Sequence, residues 1–159
     1  MTGGFLPPAI LCAALAIAAA SLPLRDGLLA GALAAIVALA VSVIPIPASW
    51  NEAVFIGCWL SVVASAASLF PVRVPLAVSI ALAVNTGLWA GGVCSVSGRQ
   101  EDFFIALPML LLVIPAQMFV ARGWSIALKV LASWLTAVAI LATMVSLTPT
   151  PGYVPDHME

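Results

Sequence analysis

The chain has 159 residues, of which 64% are hydrophobic and 7% are charged, with a formal net charge of −1. A soluble globular domain is about 45–50% apolar and roughly 25% charged. These proportions exclude a water-soluble globular domain and a disordered chain, and the near-neutral charge excludes a nucleic-acid-binding protein held by a basic field. We therefore expect an integral membrane protein with the lipid bilayer around it.

Six apolar stretches follow one another along the chain. A helix needs about 20 apolar residues to cross a hydrocarbon core of ~30 Å, and long apolar runs without alternation exclude an outer-membrane barrel. We predict an all-α polytopic membrane protein, a six-helix transmembrane bundle with short loops, forming one domain over residues 1–148. Residues 149–159 are predicted to form an extracytoplasmic Pro-rich tail. The predicted spans are about 5–24, 28–48, 53–72, 76–93, 103–121 and 124–147.

Charged residues and prolines mark the predicted breaks between the spans. Arg25, Asp26 and Gly27 are expected to form the first turn. The residues from Pro71 to Pro75 are expected to separate the third span from the fourth, because two prolines around Arg73 make a poor helix interior. If they did not, the count would fall to five.

The basic residues predict the orientation. With six spans, both termini share one face, and that face carries only Arg99. Short cytoplasmic loops are enriched in Lys and Arg, so we place both termini on the extracytoplasmic side. The short loops and the charge asymmetry suggest a bacterial inner membrane. The basic residues on the opposite face are Arg25, Arg73, Arg122 and Lys129.

Residues that carry chemistry are rare. The only histidine, His157, lies in the tail, which excludes an intramembrane haem site with two histidine ligands, an H-E-x-x-H motif and a Ser-His dyad. We expect no enzyme, no cofactor and no metal. Cys12, Cys58 and Cys94 could converge on a soft metal such as Cu(I), or two of them could form a disulfide. We favour buried cysteines that act as small hydrophobes.

Three polar side chains within the spans are candidates for a functional role. Lys129 lies about five residues into the sixth span, where it is a candidate counter-charge for a substrate or a cofactor-bearing lysine. We favour a side chain that reaches the headgroups, because the depth is within its length. Asn85 and Gln117 are candidates for lining a solute path, but interhelical hydrogen bonds are the more usual role of such residues.

Small and kink-forming residues complete the pattern. Gly27 with Gly31, and Gly87 with Gly91, form two G-x-x-x-G pairs, which allow helices to approach closely. We interpret them first as packing within the chain and second as a surface for a partner. In the fifth span, Pro108 and the proline seven residues later, Pro115, predict two bends.

The leading functional hypothesis is a non-catalytic integral accessory or assembly subunit. It would pack against a larger membrane protein complex, so that other integral membrane subunits are its expected partners. The alternative is a small transporter or channel for a small neutral or hydrophobic solute, with Asn85 and Gln117 along the path. An enzyme acting on lipid or quinone is least favoured, because the spans contain no acid/base pair.

Overall fold

The computed structural model describes residues 6–69, 75–97 and 104–147. Within these ranges 88% of the residues are helical and no strand occurs, which confirms the all-α prediction. The helices are α1 (Leu6–Ala19), α2 (Leu24–Ser42), α3 (Asn51–Ala67), α4 (Leu76–Ser97), α5 (Phe104–Ala121) and α6 (Ser125–Leu147).

Four of these helices, α2, α4, α5 and α6, are long and apolar enough to cross a membrane. α1 has 14 residues and α3 has 17, fewer than the roughly 20 that a full crossing needs. A 3-10 turn, Ala48–Trp50, runs directly into α3 and lengthens that helical segment. Among the described residues the structure therefore has six helices but four candidate spans, where the sequence predicts six spans.

The first turn of the chain lies earlier than predicted. α1 ends at Ala19 and α2 begins at Leu24, so Arg25, Asp26 and Gly27 belong to α2. Pro23 precedes α2, and a proline is tolerated there because the first helical N–H groups have no intrahelical acceptor. Asp26 lies in the first turn, where a carboxylate interacts favourably with the helix dipole. The prediction that these three residues break the helix is wrong.

The ends of α4 and α3 also differ from the predicted bounds. α4 continues to Ser97 rather than ending near residue 93, so Cys94 is helical. The Ser95 hydroxyl donates to the carbonyl of Ile44 and accepts from the N–H of Ile46, which joins this end of α4 to the α2–α3 connection. α3 ends at Ala67. The expected turn at 71–74, the loop with Arg99, and the tail 149–159 lie outside the described residues.

The two prolines of α5 coincide with a change of helix type. Residues Leu107–Leu112, which include Pro108, form a 3-10 helix, and an α-helix resumes over Val113–Ala121. Pro115 is the third residue of that α-helical part, where a missing N–H is tolerated. A 3-10 segment of this length is uncommon. It allows α5 to continue through a proline.

α1 occupies the centre of the bundle. It packs against all five other helices, and nearly all of its residues are buried. Six of its fourteen residues are alanine, so its thin surface lets the neighbouring backbones come close. α1 is therefore enclosed by the other helices along most of its length.

Successive helices run in opposite directions. The amide of Gln117, near the end of α5, donates to the carbonyl of Leu22 in the α1–α2 turn. That turn and the α5–α6 turn therefore share one end of the bundle, which we call the basic end because Arg25 and Arg122 lie there. The α2–α3 connection and the last turn of α4 lie together at the opposite end. α2 and α4 consequently run parallel.

The α2–α4 contact is the most extensive in the bundle, and two glycines make it possible. A Cβ on Gly87 would lie 2.6 Å from the Cβ of Val37, and a Cβ on Gly91 would lie 2.5 Å from the carbonyl oxygen of Ala38. The second clash is with backbone, which cannot rotate away. These two positions therefore require glycine at the present separation of the helices.

We predict that Gly91→Ala destabilises the protein by about 1–3 kcal/mol, the usual cost of overpacking. Gly31→Ala is the matched control, because its added Cβ would meet only the Leu110 Cβ, at 3.8 Å. The control is expected to be neutral or slightly stabilising, since alanine favours helix more than glycine. The measurement is the free energy of unfolding in mixed micelles, and equal effects of the two substitutions would contradict the packing role.

Candidate functional site

Asn85 lies at the middle of α4 and joins it to α3. Its side-chain amide donates to the hydroxyl of Ser61 at 2.7 Å, and its carbonyl oxygen accepts from the indole N–H of Trp89 at 3.0 Å. The Ser61 hydroxyl in turn donates to the carbonyl of Gly57 at 2.8 Å. We call these four residues the Asn85 network.

The indole of Trp89 lies directly on Gly57. A Cβ at position 57 would come within 2.4 Å of the six-membered ring, so the ring fills the space of the missing side chain. The network therefore combines hydrogen bonds with a close aromatic contact, and it holds α3 and α4 in one register. Both Asn85 and Trp89 are half-buried.

Asn85 is identifiable from the sequence as a candidate polar contact, whereas the other three members of the network are not. Two spacings could have revealed them. Trp89 follows Asn85 by four residues, and Ser61 follows Gly57 by four, the spacing that places side chains on one face of a helix. Which face of α3 meets which face of α4 is not encoded in either spacing.

Gln117 makes a different connection. Its side-chain amide donates to the carbonyl of Leu22 at 2.8 Å, so it satisfies an acceptor in the turn after α1. It also lies near Gly27, whose added Cβ would be 3.5 Å from the Gln117 nitrogen. Asn85 and Gln117 thus belong to separate contacts, in the middle and at the basic end of the bundle, and the structure does not bring them together.

Lys129 is exposed and lies just over one turn into α6. It is on the same end as Arg25 and Arg122. An exposed lysine this close to a helix end can reach the headgroup region with its flexible stem. Lys129 takes part in none of the hydrogen bonds that Asn85 and Gln117 make.

Cys12, Cys58 and Cys94 are buried, and no disulfide joins them. They belong to α1, α3 and α4. Over residues 6–69, 75–97 and 104–147, however, no group of three His, Cys, Asp or Glu side chains is placed to hold a metal ion. The Cu(I) hypothesis therefore finds no ligand set in that part of the chain.

Of the four predicted packing glycines, Gly87 and Gly91 contact α2 and Gly27 contacts α5 and the end of α1. Gly27 and Gly31 both border an apolar groove of about 440 Å³ between α2 and α5, which we call the α2–α5 groove. None of Asn85, Gln117 and Lys129 lines it. Its lining residues are Gly27, Leu28, Gly31, Ala32, Ala35, Phe104, Leu107, Pro108, Leu110 and Leu111.

We predict that Asn85→Leu destabilises the protein by about 1 kcal/mol, because it removes two hydrogen bonds that each contribute ~0.6 kcal/mol on average in membrane proteins. A double-mutant cycle with Ser61→Ala should give a coupling energy near 0.6 kcal/mol. The exposed Asn51→Leu is the control and should change stability by less than about 0.5 kcal/mol. Strictly additive effects of the Ser61 and Asn85 substitutions would rule out the network.

Comparison with known proteins identifies no family for this chain. The chain matches no protein-family model, no curated protein and no solved structure.

Proposed function

We propose that this protein is a non-catalytic integral membrane subunit that assembles with a larger membrane protein and contacts it through α6. The observation that carries the proposal is an exposed tryptophan, Trp134, near the middle of α6. Three further features support it. α6 is at the periphery of the bundle, its outer side carries a regular apolar stripe, and Asn85 and Gln117 form hydrogen bonds within the protein.

α6 lies at the periphery of the bundle. Its main contact is with α3, and it contacts α1 and α5 only slightly. The residues that face this contact recur every three or four positions and form one narrow stripe. They are Leu128, Ala132, Leu135 and Ala139.

A second stripe runs along the outward side of α6. Its members also recur every three or four residues, the spacing with which transmembrane helices pair at crossing angles near +20°. We call this surface the outer stripe, and it consists of Ile126, Val130, Trp134, Ala137 and Leu141. All five side chains are exposed, and Ile126 at 73% is the most exposed large apolar residue of the described chain.

The position of Trp134 favours a protein neighbour over lipid for the outer stripe. It is 59% exposed and lies two residues from the centre of the 23-residue α6, or roughly 3 Å along the axis. Tryptophan is normally enriched at the membrane–water interface, because its N–H needs a hydrogen-bond acceptor. Lipid tails offer none at mid-span, whereas a partner helix offers carbonyl or hydroxyl oxygens. Trp50 and Trp124, at helix ends, fit the interfacial pattern.

The polar side chains at depth support a subunit rather than a transporter. Asn85 donates to Ser61 and accepts from Trp89, and the Gln117 amide nitrogen donates to the carbonyl of Leu22. The α2–α5 groove has only apolar side chains along it. The transporter alternative places Asn85 and Gln117 along a solute path, and both side chains instead bond to protein.

We further propose that all six helices cross a bacterial inner membrane, with both termini outside the cytoplasm. The alternating helix directions support six crossings. Arg25, Arg122 and Lys129 lie at the basic end, and by the enrichment of basic residues on the cytoplasmic side that end faces the cytoplasm.

A reporter active only outside the cytoplasm, fused after Glu159, is expected to be active. The same reporter inserted after Gly123, in the α5–α6 turn at the basic end, is expected to be inactive, because that turn lies in the cytoplasm in the proposed topology. Reporter activity per unit of fusion protein is the measurement. Activity after Gly123 together with inactivity after Glu159 would invert the proposed orientation.

We predict that Trp134→Leu weakens association with the partner about fivefold, because an interhelical hydrogen bond and its contact contribute on the order of 1 kcal/mol. The measurement is the amount of the larger assembly recovered with the tagged protein from membranes in mild detergent, quantified by mass spectrometry. Trp124→Leu is the control, since it changes an equally exposed tryptophan at the helix end, and it should leave recovery unchanged.

Two results would argue against the subunit proposal. One is recovery of the unaltered protein only as a monomer or a small homo-oligomer. The other is recovery of a larger assembly that Trp134→Leu and Trp124→Leu reduce equally, which would remove the outer stripe as the contact surface.

A further inference from the structure

We propose that the α2–α5 groove binds one acyl chain of an anionic phospholipid, with the headgroup phosphate at the basic end near Arg25 and Arg122. This inference does not depend on the proposed partner, because the outer stripe lies on α6 and the groove lies between α2 and α5.

The groove has the size of a chain-binding site. Its volume is about 440 Å³, within the roughly 300–1,000 Å³ of small-molecule sites. Along α2 it extends from Gly27 to Ala35, or roughly 12 Å at 1.5 Å per residue.

Gly31 lies at the floor of the groove, and no contact with a neighbouring helix requires a glycine there. A Cβ at Gly57, Gly87 or Gly91 would clash with a neighbouring helix at 2.4–2.6 Å. An added Cβ at Gly31 would meet one atom within 4 Å, the Leu110 Cβ, at 3.8 Å. Helix packing thus accounts for the first three glycines, whereas at Gly31 the missing side chain leaves space for a ligand.

The wall formed by α5 is continuous and apolar. It includes the 3-10 segment, with Leu107, Pro108 and Leu111, and Phe104 at the far end. No lining side chain has a hydrogen-bonding group, so a polar solute would find no side-chain partner in the groove. A hydrocarbon chain can fill such a groove through van der Waals contacts alone.

The charge at one end of the groove selects the headgroup. Both helices that form the groove carry an arginine where they reach the basic end. Arg25 is the second residue of α2, and Arg122 directly follows α5; both are exposed. Asp26, which is partly buried, offsets one of these charges, so the three residues together carry +1. Arginine binds phosphate oxygens through two parallel hydrogen bonds, and a chain seated beside Gly27 and Leu28 brings its headgroup toward these side chains.

Gly31→Leu fills the groove and is the first test. The full-length protein is placed in nanodiscs with equal amounts of phosphatidylglycerol and phosphatidylcholine that carry identical oleoyl chains. Phospholipid retained after release is then counted by native mass spectrometry. The unaltered protein is expected to retain one phosphatidylglycerol, and Gly31→Leu is expected to lose it. Ala40→Leu, at an exposed position of α2 outside the groove, is the volume-matched control and should retain the lipid.

The arginines are tested separately from the chain site. Arg25→Gln and Arg122→Gln should each reduce the preference for phosphatidylglycerol over phosphatidylcholine about fivefold, the effect of one basic residue on an anionic lipid. Circular dichroism spectra and the midpoint of thermal unfolding show whether each variant remains folded.

Three results would overturn the inference. The first is equal retention of the two lipids by the unaltered protein. The second is full retention by a folded Gly31→Leu variant. The third is a Gly31→Leu variant that changes the oligomeric state or a co-purified protein while lipid retention stays constant, which would assign the groove to a protein.

Discussion

The structure depends on close contact between backbones around α1. Inside a membrane the lipid is as apolar as the side chains, so helices associate through van der Waals packing and interhelical hydrogen bonds rather than through the hydrophobic effect. α1 is rich in alanine and touches every other helix. Gly87 and Gly91 extend the same principle to the α2–α4 contact, where a single methyl group would meet backbone. The arrangement of the other helices follows from these approaches.

The polar side chains within the bundle serve the same purpose. Asn85 links α3 to α4, Gln117 links α5 to the first turn, and Ser95 links α4 to the α2–α3 connection. Each makes a hydrogen bond to protein, which helps to fix helix register in a medium that offers no other partner. The outer stripe of α6 and the α2–α5 groove lie on the outside of the bundle. This distribution is why the proposed functions are association with a protein and association with lipid.

Particular residues show how far the sequence predicted the fold and the site. The helices themselves followed from apolar runs, and Asn85, Gln117 and the glycine pairs were identifiable as polar or small residues in such runs. The first turn was misplaced because Arg25 and Asp26 suggested a loop, whereas Pro23 and the favourable position of an acidic residue in a first turn place them in α2. The partners of Asn85 were not identifiable, since a contact between two helices depends on the rotation of each about its axis.

Composition and local apolar length are enough to predict that the chain is helical, that it suits a membrane and that its apolar stretches hold little ionisable chemistry. The packing of the helices places α1 at the centre, brings α2 and α4 together, and leaves open space beside Gly31 but backbone beside Gly91. The two glycines are alike in sequence, each one end of a G-x-x-x-G pair. They differ because the consequence of a missing side chain depends on what the neighbouring helix places opposite it.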